Sequence, residues 1–158
     1  MAKIKGIELK SVVEFKGHEG EPLLQGKVYY KGKDVGFYSD DSWGGLPTLD
    51  YTTDDKALKK EVQDIIDNYD GNVLFKELNS DELSPESLKG EVSFFCDLIR
   101  LRDHENYYKK FSKKWNLSKI FIVYPKPWEL TICGKEVPDK YKDFPCYEYN
   151  SLNDFNVG

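Results

Sequence analysis

The sequence predicts one α+β domain spanning residues 1–158, with an N-terminal antiparallel β-meander, two or three central helices, a C-terminal β-hairpin, and the helices packed on one face of the sheet. Three observations carry this. Strand-like alternation gathers near both ends of the chain and helix-like periodicity in the middle, an order that favours α+β over interleaved α/β. A length of 158 residues is close to the commonest domain size. Apolar residues make up 39% and aromatics 15%, enough for one packed core and far from the composition of a disordered chain.

In residues 3–15, Ile7, Leu9, Ser11, Val13 and Phe15 fall on one face and Glu8, Lys10, Val12 and Glu14 on the other, the period of a half-buried strand. A loop containing Gly17, Gly20 and Pro22 follows. Residues 23–30 and 34–39 are two further strands around the turn Lys31-Gly32-Lys33, which completes the meander. Residues 40–51 (DDSWGGLPTLDY) lack periodicity and carry Gly44, Gly45 and Pro47, the composition of a structured loop.

Thr53 is the expected N-cap of the first helix, with Asp54 and Asp55 in a first turn where the helix dipole favours acids. Leu58, Val62, Ile65, Ile66 and Tyr69 form its apolar face, and Asp70-Gly71-Asn72 ends it. Residues 73–78 read as a short edge strand or an extended connection. Ser84-Pro85 opens the next helix, Ser as cap and Pro at the first position. Its apolar positions are Leu88, Val92, Phe95 and Ile99, with a second seam at Phe94, Leu98 and Leu101. So wide an arc makes this helix central to the core; the pattern leaves open whether it runs on to Trp115 or restarts at Asp103. Residues 119–124 and 128–133 are strands separated by Pro125-Lys126-Pro127. Residues 134–144 form a polar loop, residues 146–149 a last short strand, and the tail from Asn150 is expected to fray.

The three cysteines, Cys96, Cys133 and Cys146, have neither paired nor metal-type spacing and are expected to be buried free thiols. The first fifteen residues lack the apolar core of a signal peptide, and no apolar run approaches the roughly 20 residues needed to cross a bilayer. A cytoplasmic location away from membranes is therefore expected. The cations are 21 Lys and only two Arg, Arg100 and Arg102, a bias of A+T-rich coding that disfavours functions built on bidentate arginine.

Common catalytic signatures are missing. The two histidines, His18 in a Gly-rich loop and His104 between charged residues at a helix boundary, have no sequence-adjacent nucleophile. There is no Walker loop and no GxGxxG, so no nucleotide cofactor is expected. The best catalytic constellation joins His18 and Glu19 to Asp40 and Asp41, which would meet at one end of the meander and could hold a divalent metal for hydrolase or nuclease chemistry. The simpler reading makes both pairs turn residues.

Two features suit binding. Asp40, Asp41, Ser42, Trp43, Gly44 and Gly45 place an indole beside bare backbone N–H groups and acidic side chains, a composition fit for a small nucleotide-like ligand. Against this, the indole is expected to pin the loop to the core. Charge is also segregated: residues 50–91 hold 12 acids and 5 Lys, residues 100–126 hold 8 basic residues and 2 acids. Asp54, Asp55, Asp64, Asp67 and Asp70 would form an acidic face toward a protein with a basic surface. In the basic stretch, Tyr107, Phe111 and Trp115 are spaced by four and read as a buried seam with solvated lysines around it, so direct nucleic-acid binding is the less favoured use.

The opening segment IKGIELKSVVEFKGHEGEPLLQGKVYYKGKDVGFYSDDSWGG resembles the start of small uncharacterised proteins of phages and mobile elements of A+T-rich Gram-positive bacteria. The resemblance covers the first third of the chain. It implies a non-enzymatic binding role, namely inhibition of a host defence system by blocking a nuclease such as a CRISPR effector or by sequestering a nucleotide signal. It carries no functional residue over to this sequence.

Overall fold

The computed structural model of the chain describes residues 1–79 and 89–158. The strands are β1 (Lys3–Ile4), β2 (Ile7–Lys16), β3 (Pro22–Tyr30), β4 (Lys33–Ser39) and β5 (Thr48–Tyr51), then β6 (Ile120–Lys126), β7 (Glu129–Gly134), β8 (Cys146–Tyr149) and β9 (Asn156–Val157). Between the two groups lie α1 (Lys56–Asp67), the single turn α2 (Lys76–Asn79) and α3 (Glu91–Trp115). The architecture is α+β, with two sheets. One has the order β5-β4-β3-β2-β1-β9 and the other β7-β6-β8.

β2, β3, β4 and β5 form the expected antiparallel meander, extended by one strand. The simple alternation expected for β2 fails at Ser11, which has φ +52°. The ladder with β3 slips between Lys10 and Val13. This bulge turns the side chains over: Val12 packs on the core and Val13 is 53% exposed. Gly26 faces the bulge, where a Cβ would lie 3.2 Å from the Lys10 carbonyl oxygen.

The first helix starts later than expected. Asp55, not Thr53, is its N-cap, with the carboxylate accepting the Leu58 N–H at 3.0 Å; Thr53 instead accepts the Asp55 N–H at 3.2 Å. It ends at Asp67, two residues before Tyr69. Residues 73–78 are no strand: two turns lead into α2, and Phe75 is fully buried. The expected helix start at Ser84-Pro85 and its apolar Leu88 lie outside the described residues.

α3 is one continuous helix of 25 residues. It packs against β1 and β2 of the large sheet and β6 and β7 of the small one. Its inner stripe is Phe94, Phe95, Leu98, Leu101, His104 and Tyr108, whereas Val92 is 44% exposed. The expected seam through Tyr107, Phe111 and Trp115 is only half-buried and Trp115 is 37% exposed. Four residues span about 400° of helix, so a strict spacing of four drifts about 40° per step and leaves the core face. A mix of threes and fours stays on it.

The tail does not fray. A 3-10 turn (Leu152–Phe155) inserts fully buried Phe155 against Tyr149, with stacked rings 4.3 Å apart. β9 then pairs in parallel with β1, Lys3 opposite Asn156. Of the cysteines only Cys133 is buried; Cys96 and Cys146 are exposed. Among the described residues no helix is long and apolar enough to cross a membrane.

Candidate functional site

The meander places the β2–β3 and β4–β5 loops at the same end of the large sheet. They touch: the His18 N–H donates to the Ser42 carbonyl at 2.7 Å, and the His18 and Trp43 rings stack at 4.0 Å with an interplanar angle of 25°. The sequence reading brings His18 and Glu19 toward Asp40 and Asp41; His18 instead meets the next two residues, Ser42 and Trp43.

Asp40, Asp41 and Glu21 each have a structural task there. Asp40 Oδ2 accepts the Leu24 N–H at 2.9 Å and Oδ1 accepts the Tyr38 hydroxyl at 2.8 Å. Burial, and next the Asp40 carboxylate, push the Tyr38 phenol far above its ordinary range. Asp41 Oδ1 accepts the Trp43 N–H at 2.9 Å, and its carbonyl accepts the Gly44 N–H at 3.2 Å. Gly44 takes φ +82°, which a side chain would strain. The Glu19 N–H donates to the Glu21 carboxylate at 3.0 Å. Among the described residues no three His, Cys, Asp or Glu side chains gather as a metal-ion set. These hydrogen bonds make Asp40 and Asp41 turn-forming groups, as the simpler sequence reading has it for that pair.

The loop they build holds Trp43 away from the core. The indole is 74% exposed and Leu46, three residues on, is 75% exposed. The expectation that Trp43 pins the loop to the core is thus corrected. Asp41 and the Ser42–His18 bond fix the loop from within, so the ring is not needed as an anchor. Ser42 is partly buried, and Gly44 and Gly45 are exposed beside the ring.

The acidic residues of the α1 region are dispersed into local contacts. Asp55 caps the helix, Asp64 pairs with Lys60 at 3.0 Å, and Asp67 accepts the Gln63 amide at 2.7 Å. Asp70 accepts the Asn72 N–H at 2.9 Å, and that bond, with a second from the Asn72 side chain, holds its carboxyl below the ordinary range. Lys56, Lys59 and Lys60 share the helix with Glu61, Asp64 and Asp67, so its surface is mixed in charge. Asp54 is exposed just before it.

A second polar centre, inside the molecule, escaped the sequence reading. His104 is fully buried in mid-helix, not at a helix boundary. Its Nδ1 lies 2.7 Å from the Tyr149 hydroxyl and its Nε2 2.7 Å from the Tyr124 hydroxyl. Burial, and next the nearby Arg100, hold the imidazole down to about 3. The ring is therefore neutral at neutral pH, and it donates to one tyrosine while accepting from the other. Burial pushes Tyr124 up to about 12. Two turns earlier, buried Asp97 accepts the Tyr69 hydroxyl at 2.5 Å and the Asn79 amide at 3.2 Å, and burial raises its carboxyl. Extending the Phe94, Leu98, Leu101 seam by three would have placed His104 inside; its charged sequence neighbours hid that.

No family model, no curated protein and no solved structure matches this chain.

Proposed function

We propose that this protein works by binding another protein, without catalysis, and that the contact is centred on Trp43 and Leu46. The observation that carries this is an indole 74% exposed on a loop whose backbone is already fixed by Asp41 and His18. Exposed tryptophans on ordered loops make strong interface anchors, because little conformational freedom is lost when they are covered. Exposed Asp50 and Asp54 lie close along the chain and suit a partner with a basic surface, which they would steer toward the loop. The resemblance of the opening segment supplies the setting: the partner is a component of a host defence system, such as a CRISPR effector, and the protein is its inhibitor.

The test is affinity capture from lysate of a cell carrying such a system, with the wild-type chain beside Trp43→Ala/Leu46→Ala and Asp54→Asn/Asp64→Asn/Asp67→Asn variants. A defence protein held by the wild type and lost from the first variant supports the reading; equal retention on that variant overturns it. Loss from the acidic variant alone, with steep salt dependence, would move the contact to the α1 face.

A second reading takes the His18–Trp43 stack as half of a sandwich for a planar base, so that the loop sequesters a nucleotide-like signal. The favouring observation is the near-parallel 4.0 Å ring contact. Calorimetry with cyclic and linear nucleotides is expected to give heat that Trp43→Ala abolishes; silence across the panel removes this reading.

A further inference from the structure

A groove separate from the Trp43 loop lies between α3 and the β6–β7 hairpin and encloses about 310 Å³. Arg100, Asp103 and Tyr107 line it from the helix; Pro127, Trp128 and Leu130 line it from the hairpin. The size is at the lower end of small-molecule sites. Trp128 is 78% exposed, and the β6–β7 ladder slips between Val123 and Lys126 just before it.

The charges in this groove are arranged unusually. Arg100 is one of two arginines in a chain with 21 lysines. Its guanidinium lies over the Phe75 ring at 5.5 Å and gives one N–H to Asn79 Oδ1 at 3.2 Å. Five N–H donors belong to a guanidinium, so among the described residues most of the fork is uncommitted, and its planar geometry matches a carboxylate in a way lysine does not. Asp103 stands three residues further on, about 4.5 Å along the helix axis. It pairs at 3.7 Å with Arg102, not with Arg100. A cation and an anion thus face one groove, about one turn apart, beside an exposed indole.

We propose that this groove binds a free α-amino acid with an aromatic side chain. Its carboxylate takes the Arg100 fork, its ammonium takes the Asp103 carboxylate, and its ring lies against Trp128 and Leu130. A zwitterion carries both charges on one carbon, which fits two opposite charges held about one helical turn apart on long side chains. A nucleoside phosphate would leave its anion facing Asp103, and an internal peptide residue would offer no charge to either group.

Calorimetry on the full chain with L-phenylalanine, L-tyrosine and L-tryptophan tests this, with their N-acetyl and amide derivatives and adenosine monophosphate as comparators. Free amino acids are expected to bind at least about tenfold tighter than either derivative, the loss of one charge-assisted hydrogen bond. Asp103→Asn is expected to weaken the free amino acid about tenfold while leaving the N-acetyl form unchanged, and Trp128→Ala to weaken all of them. The Asp103 side chain is 50% exposed and Trp128 is 78% exposed, so both variants are expected to fold; Arg100→Lys is read beside them because Arg100 also holds Asn79. No heat from any amino acid at millimolar concentration would overturn the proposal. So would adenosine monophosphate or the derivatives binding as tightly as the free amino acids, or Asp103→Asn leaving free amino acid binding intact.

Discussion

The chain has two histidines, and each sits against aromatic rings in opposite surroundings. His18 is exposed and stacks on an exposed indole at the loop end of the large sheet; His104 is fully buried among Tyr124, Tyr147, Tyr149 and Phe75. At the loop end, the acids accept from backbone N–H groups and the Tyr38 hydroxyl, and the His18 and Trp43 rings only stack. In the core, the ring itself is the hydrogen-bonding hub, reaching 20 and 45 residues along the sequence. The difference teaches where each site spends its chemistry: the inner one on holding α3 to β6 and β8, the outer one on display.

The largest expected effect that tests this contrast comes from His104→Ala. It removes a buried ring and leaves two tyrosine hydroxyls without their partner, so a loss of about 3–5 kcal/mol is expected in denaturant unfolding. A loss below about 1 kcal/mol would break the comparison.

Acid should separate the two sites next. The folded imidazole is held to about 3 and its ordinary value is 6.5, so only the unfolded chain gains a proton between these values. His104 therefore costs nothing above pH 6.5, and stability falls as pH drops below it, by about 2 kcal/mol at pH 5. The pH dependence of unfolding, compared with that of His104→Gln, isolates this contribution; parallel curves would mean that the ring is not held neutral.

The smallest effects sharpen the outer half. Asp40→Ala strips partners from the Leu24 N–H and the Tyr38 hydroxyl and is expected to cost about 1–3 kcal/mol. Trp43→Ala, three loop positions on, is expected to change stability by less than about 0.5 kcal/mol. A Trp43 variant as destabilised as the Asp40 variant would mean that the indole supports the fold after all.

Much of the fold was legible because periodicity is local. The turn Lys31-Gly32-Lys33 located β3 and β4 on either side of it, and the Phe94, Leu98, Leu101 seam located α3. What stayed hidden depended on partners far along the chain. The Ser11 bulge is invisible in β2 alone, because it is matched by Gly26 on the neighbouring strand. The expected fraying of the tail overlooked Phe155, whose burial needs Tyr149 and Tyr108 to be already in place. At the loop end, the sequence left two tasks open for Asp40 and Asp41, because a carboxylate near a strand end looks alike whether it awaits a metal or already holds a backbone N–H.

The β1–β9 pairing carries a kinetic consequence. Lys3 meets Asn156 only when nearly the whole chain has been drawn into one loop, so the entropy of that closure is met only once the intervening elements have folded. Such long-range contacts slow the final approach to the native state. Until it is reached, the edge of β1 lies open, with unpaired N–H and C=O groups ready to join another chain. The two residues of β9 are thus expected to act as a late-closing latch over the edge of β1.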